Sequence, residues 1–289
     1  MQILRTYVER EVWRHKDAFK GCRVLVLGED KSGAFTSYIC RRFGLFEIKT
    51  LTCITCTNPQ TNLFETSGTN VLSEYDGVTW KDEEIESTCH FQSEYIQSIL
   101  DNYDFFLCIP DFTELHTYVS VLMRKGKKFI ILGHLLNYLH RSIFPYVQSG
   151  DVHFGFTLRG EYVGFMEDFD KEIPDWNRRE RLLSGKDVVR LQNLRWYCNT
   201  GIKKYCHPFK YYYVYTDEKF EKFDNCDALN VPDYRNIPLD YRGVVGTSPM
   251  ILDVLRFDEF KILHTHAGIP FGLKYKGKTL TYRVFVQRV

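Results

Sequence analysis

No stretch of this chain approaches the roughly 20 consecutive apolar residues that a bilayer-spanning helix requires. The opening Met1-Gln2-Ile3-Leu4-Arg5-Thr6-Tyr7 is too polar and too broken for a secretory leader. The expectation is a cytoplasmic protein with no membrane contact. The sequence also lacks an excess of either charge: 38 Lys and Arg face 37 Asp and Glu, a net of +1. No global field draws it to nucleic acid, so any DNA contact must rest on a local basic face. Internal repeats and low-complexity tracts are missing, which excludes solenoids. Nine cysteines, an odd and scattered count, give no disulfide framework and read as reduced thiols. Cys53-Ile54-Thr55-Cys56 has the spacing of half a zinc site, but no second such pair follows to complete four ligands. Cys89-His90 and Cys206-His207 lack ligand spacing. His264 and His266 alternate on an expected edge strand, sharing a face without a third ligand. No metal site is expected.

What the sequence does have is ordinary globular composition, 44% hydrophobic and 26% charged, rich in Phe (22) and Tyr (19). Val8, Val12, Trp13 and Phe19 among charges suggest an amphipathic helix over Tyr7–Lys20. Short apolar runs bounded by glycine or proline predict buried strands at Arg23–Leu27, Ile48–Ile54, Asp104–Ile109, Lys128–Gly133 and Val152–Phe156. Between them the periodicity predicts helices over Phe35–Phe43, Ser93–Leu100, Leu115 to Gly126 and Leu135–Phe144. Asn58–Thr88 is polar and weakly periodic, a long loop by this reading. Arg178-Arg179-Glu180-Arg181 reads as an exposed helix face or loop. Tyr211–Tyr215 and Thr281–Gln287 are tyrosine-rich or β-branched strand candidates.

Alternating strands and helices call for an α/β fold with a doubly wound, mostly parallel sheet over residues 1–158. Residues 159–289 form an aromatic, β-rich C-terminal region packed on the core as one compact unit. Such a sheet binds ligands outside the carboxyl ends of its strands. The turns after Leu27, Thr55 and Ile109 are therefore where chemistry is sought. Gly28-Glu29-Asp30 opens the first of them, with a bare glycine for close approach and carboxylates suited to hydroxyl groups. Lys203, Lys204 and Lys210 interleave with Tyr205, His207, Phe209 and Tyr211, a basic-aromatic mixture that suits DNA.

The second half carries the most specific pattern. Asp224-Asn225-Cys226-Asp227-Ala228-Leu229-Asn230-Val231 is followed by Ile237-Pro238-Leu239-Asp240-Tyr241-Arg242-Gly243-Val244-Val245-Gly246. With Leu194-Arg195-Trp196-Tyr197-Cys198-Asn199, Lys125–Ile131 and Ile143-Phe144-Pro145, the chain resembles the EcoRI type of adenine-specific DNA methyltransferases from about Gly21 onward. The resemblance implies a Rossmann-like methyltransferase fold, S-adenosylmethionine as methyl donor held at Gly28, Glu29 and Asp30, and N6 of adenine as acceptor. The family's Asn-Pro-Pro-Phe loop aligns with Ile109-Pro110-Asp111-Phe112. Pro110, Asp111 and Phe112 thus stand in the catalytic positions, but Ile109 carries no acceptor for the amine. The family's Asp-Phe-Arg-Ser becomes His90-Phe91-Gln92-Ser93, which lacks the acid.

Two functions follow from the resemblance. One is an adenine N6-methyltransferase whose degenerate loop compromises methyl transfer, as in a pseudoenzyme. The other is a catalytically inactive DNA-binding or scaffold subunit of a restriction-modification type assembly, with an active methyltransferase or a second copy as partner.

Overall fold

The structure, a computed structural model, describes residues 2–3, 5–55, 70–86, 90–157, 163–166, 178–181, 187–191, 193–202 and 207–289. For 2–3, 163–166, 178–181 and 187–191 it gives the course of the backbone alone. The chain divides into two units: residues 1–134 with 155–202, and residues 135–154 with 203–289. The first thus takes residues from both sides of position 158.

In the first unit, β1 (Gln2–Ile3) precedes α1 (Arg5–Arg14) and β2 (Arg23–Leu27). Then come α2 (Ala34–Arg41), β3 (Thr50–Thr55), β4 (Asn70–Tyr75), β5 (Trp80–Ile85), α3 (Glu94–Ile99), β6 (Phe105–Cys108), α4 (Leu115–Arg124) and β7 (Lys128–His134). After α5 (Phe144–Ser149) and β8 (His153–Phe154) of the second unit, the first resumes with β9 (Val163–Met166), β10 (Arg178–Arg181), β11 (Asp187–Leu191) and β12 (Leu194–Cys198).

Its main sheet runs in the order β5-β4-β3-β2-β6-β7-β12. The four central strands are parallel, with Leu27 opposite both Ile54 and Cys108. They are buried along nearly their whole length, as strands covered on both faces must be. The sheet is mixed, for β4, β5 and β12 join its flanks through antiparallel pairings. Part of the stretch read as a loop, Asn58–Thr88, is the β4–β5 hairpin; its residues 58–69 and 87–88 lie outside the described residues. Arg178–Arg181 is a strand, paired with β11 beside β9 and β1 in a separate four-stranded sheet.

One face of the main sheet packs Val24, Val26, Phe105, Leu107, Ile130 and Leu132 against α1 and α2. Alternation explains the choice, because every second side chain of a strand shares a face. Phe19 stacks between Phe46 and Phe105, with ring centroids at 5.5 and 4.2 Å.

Helix α1 is fastened by a polar clamp set within this apolar face. Glu11 and His15, one helical turn apart and fully buried, lie 2.9 Å from each other. The Glu11 carboxylate accepts the backbone N–H groups of Phe156 (2.9 Å) and Thr157 (2.7 Å) and the Thr157 hydroxyl (2.7 Å). The same hydroxyl accepts the indole N–H of Trp196 (3.0 Å), and His15 Nδ1 meets Thr200 Oγ1 at 2.7 Å. Burial pushes the Glu11 carboxyl up, but the bonds from His15, Thr157 and Phe156 hold it below its usual range.

The second unit holds the order β13-β14-β15-β19-β16 and a separate β17–β18 hairpin. These strands are β13 (Lys222–Phe223), β14 (Cys226–Val231), β15 (Val244–Thr247), β16 (Phe260–Thr265), β17 (Leu273–Tyr275), β18 (Lys278–Leu280) and β19 (Val284–Arg288). The helix expected over Leu135–Phe144 is a 3-10 turn at Leu135–Leu139; the α-helix begins at Phe144, where Pro145 occupies a first-turn position that needs no N–H donor. Tyr211–Tyr215 forms no strand. Leu239 N–H donates to Tyr213 O and Tyr215 N–H to the Asp240 carboxylate, so its backbone bonds go to a loop. His264 lies next to the end of β16, whose register shifts beside it, and stacks on Phe285 at 4.3 Å, while His266 lies beyond in a 3-10 turn, so the two do not share a strand face.

Candidate functional site

The connections β2 to β3 and β6 to β7 run to opposite sides of the sheet, so β2 and β6 flank its switch point. In open sheets of this kind ligands sit at that point, outside the carboxyl ends of the strands. Because Leu27 and Cys108 are register partners, the two turns that follow them leave the sheet at the same level. The sequence-predicted Gly28-Glu29-Asp30 and Ile109-Pro110-Asp111-Phe112 are thereby brought to one edge.

At the first turn, Gly28 has φ +81° and donates its N–H to Ile54 O at 3.0 Å. A Cβ there would meet nothing within 4 Å, which leaves its outer side open. The Glu29 carboxylate turns back to the start of α2, accepting from the N–H groups of Phe35 (3.0 Å) and Thr36 (3.1 Å) and the Thr36 hydroxyl (3.3 Å). It therefore satisfies helix donors that have no intrahelical partner. Burial pushes this carboxyl up, against the pull of those bonds. Gly33 is the complement of that fold-back, since a Cβ at 33 would lie 2.6 Å from Glu29 Cβ. Asp30 is exposed; its Oδ1 accepts from Ser32 N–H (2.8 Å) and Ser32 Oγ (2.6 Å), which hold it below the usual carboxylate range. Lys31 reaches Asp82 of β5 at 2.7 Å.

The second turn is built differently. Ile109 continues the inward row Phe105, Leu107 and packs, with Phe112, on the core beneath α1 and α2. Asp111 is exposed, and its Oδ1 accepts from Thr113 N–H (2.9 Å) and Thr113 Oγ1 (2.7 Å), bonds that hold its carboxyl low. This is a side-chain turn leading into α4. Asp111 O also accepts Glu114 N–H at 3.0 Å.

The segment His90–Ser93 joins this edge. His90 Nε2 lies 3.0 Å from Glu114 Oε1, and Phe91 stacks on Tyr118 of α4 at 3.9 Å. Ser93 caps α3 by accepting from Ile96 N–H. Sequence reasoning missed His134, which ends β7 three residues beyond the level of Cys108 and whose imidazole is pushed down by burial and by Arg195. A histidine closing an apolar strand at the carboxyl edge was the available signal.

Thr55 ends β3 at this edge, while the residues after it lie outside the described ones. So do Lys203, Lys204, Cys56, Cys89 and Cys206; Lys210 is exposed in the second unit. Among the described residues one cluster has the composition of a metal site, Glu11, His15 and Cys198, with ligand atoms within 4.8 Å. Its carboxylate is already filled by the donors of the clamp, so that donor set leaves no lone pair aimed at an ion. No described helix is long and apolar enough to cross a membrane.

A family model described as adenine-specific methyltransferase EcoRI matches residues 3–286. The chain is similar to the type II methyltransferase M.EcoRI of Escherichia coli, 24% identical over 217 residues, or 73% of this chain and 66% of the relative. It is similar to M.MgeORF184P of Mycoplasma genitalium, 24% identical over 203 residues, 67% of this chain and 63% of that protein. M.MpnI of Mycoplasma pneumoniae is 24% identical over 284 residues, 95% of this chain and 84% of the relative. The chain thus spans slightly under two thirds of the length of the first two relatives. No solved structure matches.

Proposed function

From one premise, that the chain belongs to the EcoRI family of adenine-specific methyltransferases, we infer that it holds S-adenosylmethionine and DNA but transfers the methyl group poorly. The observation that carries the inference is Ile109, the residue directly after β6, which packs on the core. The lone pair of an exocyclic amine is delocalised into the adenine ring. An acceptor on the amine hydrogens localises it toward the methyl group, and a hydrocarbon side chain offers none. Asp111 stands at the wrong position, two residues past Ile109, with its Oδ1 engaged by Thr113 at the entrance to α4. What remains is the Pro110 carbonyl as acceptor and Phe112 as the surface on which a flipped base would stack. Losing one positioned polar group costs about 10²–10³ in rate.

The donor turn fits its ligand in part. Gly28 leaves open space for close backbone approach, and Asp30 keeps an exposed carboxylate suited to hydroxyl groups. Glu29 supports the turn by capping α2 instead of facing outward. S-adenosylmethionine, when bound, would supply the methyl group.

Calorimetric titration with S-adenosylmethionine, paired with mass spectrometry of N6-methyladenine in DNA free of that modification, tests the reading. Binding without appreciable methylation is expected, and the double variant Ile109→Asn, Asp111→Pro is expected to gain activity. Efficient methylation by the unaltered chain would refute it. Ile109 also favours a second reading, a silent DNA-binding or scaffold subunit serving an active methyltransferase. That reading gains if the double variant stays inactive while the donor still binds.

A further inference from the structure

The last 30 residues, Phe260–Val289, contain six of the 38 cations, Lys261, Lys274, Lys276, Lys278, Arg283 and Arg288, and none of the 37 acids. A chain with almost no net charge has therefore gathered a local positive segment, which is what electrostatic attachment to a polyanion needs. Three of the six sit on the β17–β18 hairpin.

That hairpin is held rigidly. Its two-residue turn, Lys276-Gly277, has both φ values positive (51° and 74°), the form that matches strand twist. The Asp224 carboxylate accepts both turn N–H groups, from Lys276 at 3.0 Å and Gly277 at 2.8 Å. Asn225 bonds the root of β17 through Lys274 N–H and Gly272 O. Leu273 is buried in the core, whereas Lys274 and its register partner Thr279 are exposed on the opposite face, and Lys278, the partner of Tyr275, is exposed on the Leu273 face beside the turn. Lys276 is paired with Glu221 at 2.7 Å; Lys274 and Lys278 have no acidic partner among the described residues.

At the base of the hairpin stands a second unusual feature. Gly272 N–H donates to Ile269 O, closing a turn with Pro270 and Phe271 at its centre. Phe271 has φ +60°, a position that favours glycine, and it is 96% exposed. A bulky aromatic thus occupies a strained backbone site and is left almost wholly in solvent. Folding alone gives no reason for it, since glycine would suit the turn better.

We propose that residues 269–283 form a duplex-DNA contact element, with Lys274 and Lys278 on backbone phosphates and the Phe271 ring inserted as an apolar wedge at the base edges. The proposal rests on DNA being the macromolecule bound, as read above, and adds the surface that binds it. Phosphates complement the two unpaired lysines, and a base stack is an apolar destination for a ring that the fold leaves in water.

Fluorescence anisotropy with a labelled DNA duplex, measured over a salt series, tests the assignment. Lys274→Gln with Lys278→Gln is expected to lower the slope of log affinity against log salt by about 2, roughly one for each phosphate no longer neutralised. Phe271→Gly is expected to weaken binding about tenfold while leaving the slope unchanged and the melting temperature equal or higher, because glycine relieves the turn. Binding by the unaltered chain with none of these changes in the variants overturns the hairpin assignment alone. An unaltered chain that binds no duplex at any salt overturns the DNA reading with it. A fall in melting temperature for Phe271→Gly would also overturn the proposal, by showing that the ring serves the fold.

Discussion

Replacing Glu11 by glutamine isolates the clamp that fixes α1. The carboxylate receives two backbone N–H groups, the Thr157 hydroxyl and the His15 ring, all in the buried interior of the first unit. Glutamine keeps the shape but has one acceptor oxygen, so the amide group meets at least one donor head-on, and the remaining bonds lose their charge. Hydrogen bonds to a charged group contribute roughly 1.5–3 kcal/mol each, and a buried donor left unmade costs about 1–3 kcal/mol. Since the new amide still finds some partners, a net loss of about 3 kcal/mol is expected. At about 2–4 °C per kcal/mol for a unit of this size, the melting temperature should fall by roughly 6–12 °C. The pH dependence has a defined sign. A carboxyl held low in the folded state stabilises above its unfolded pKa of about 4.3, and that contribution disappears as pH falls through the folded value. Urea unfolding from pH 7 to pH 3 should therefore show an acid decline in the parent that is shallower in Glu11→Gln. A variant within about 0.5 kcal/mol of the parent at pH 7, or one with an unchanged acid decline, would refute the reasoning.

Gly33→Ala places a methyl group against Glu29 and should destabilise by about 1–3 kcal/mol. Adding Glu29→Ala should recover part of that loss in a double-mutant cycle, and strict additivity would count against the contact. Trp196→Phe keeps the ring packing but leaves Thr157 Oγ1 without its indole donor; a loss of about 1–2 kcal/mol in urea unfolding is expected, and an unchanged midpoint would contradict it. Burial raises the thiols of Cys22, Cys53, Cys108 and Cys198, Cys53 to about 12. At pH 8 these four should resist a thiol reagent until the chain is unfolded, whereas Cys40 and Cys226 are more accessible. Mass spectrometry of the labelled peptides reads this directly, and rapid native labelling of Cys108 would mean that the parallel strands open.

The central strands were legible because a strand covered on both faces must be apolar throughout, and Arg23–Leu27 and Lys128–Gly133 are. The β4–β5 hairpin was not, because it forms one edge of the sheet. Lys81, Asp82, Glu83 and Glu84 are exposed there and erase the alternation that marks a half-buried strand. Tyr211–Tyr215 misled for the opposite reason. Its side chains alternate half-buried and exposed as in a strand, yet among the described residues no neighbouring strand completes a ladder. The positions of Gly28 and Ile109 at a shared edge followed from strand order, and the local sequence anticipated the turns. That Glu29 turns inward to cap α2 could not be read from its type, since a carboxylate serves a helix end and a ligand equally well. The clamp residues announced themselves only faintly, as an acid and a histidine four apart among Val8 and Val12.

Strand β12 pairs with β7 through Leu194 opposite His134 and Cys198 opposite Ile130, a gap of about 60 residues in the chain. On the ribosome, at about 5–20 residues per second, β7 emerges several seconds before its neighbour is made. Throughout that interval a fully apolar strand, Phe129 to Leu132, presents an unpaired edge capable of joining another nascent chain. A truncation ending near residue 158 would make the interval permanent. Such a fragment should collect in inclusion bodies, even though it contains every parallel strand of the main sheet and both turns of the candidate site.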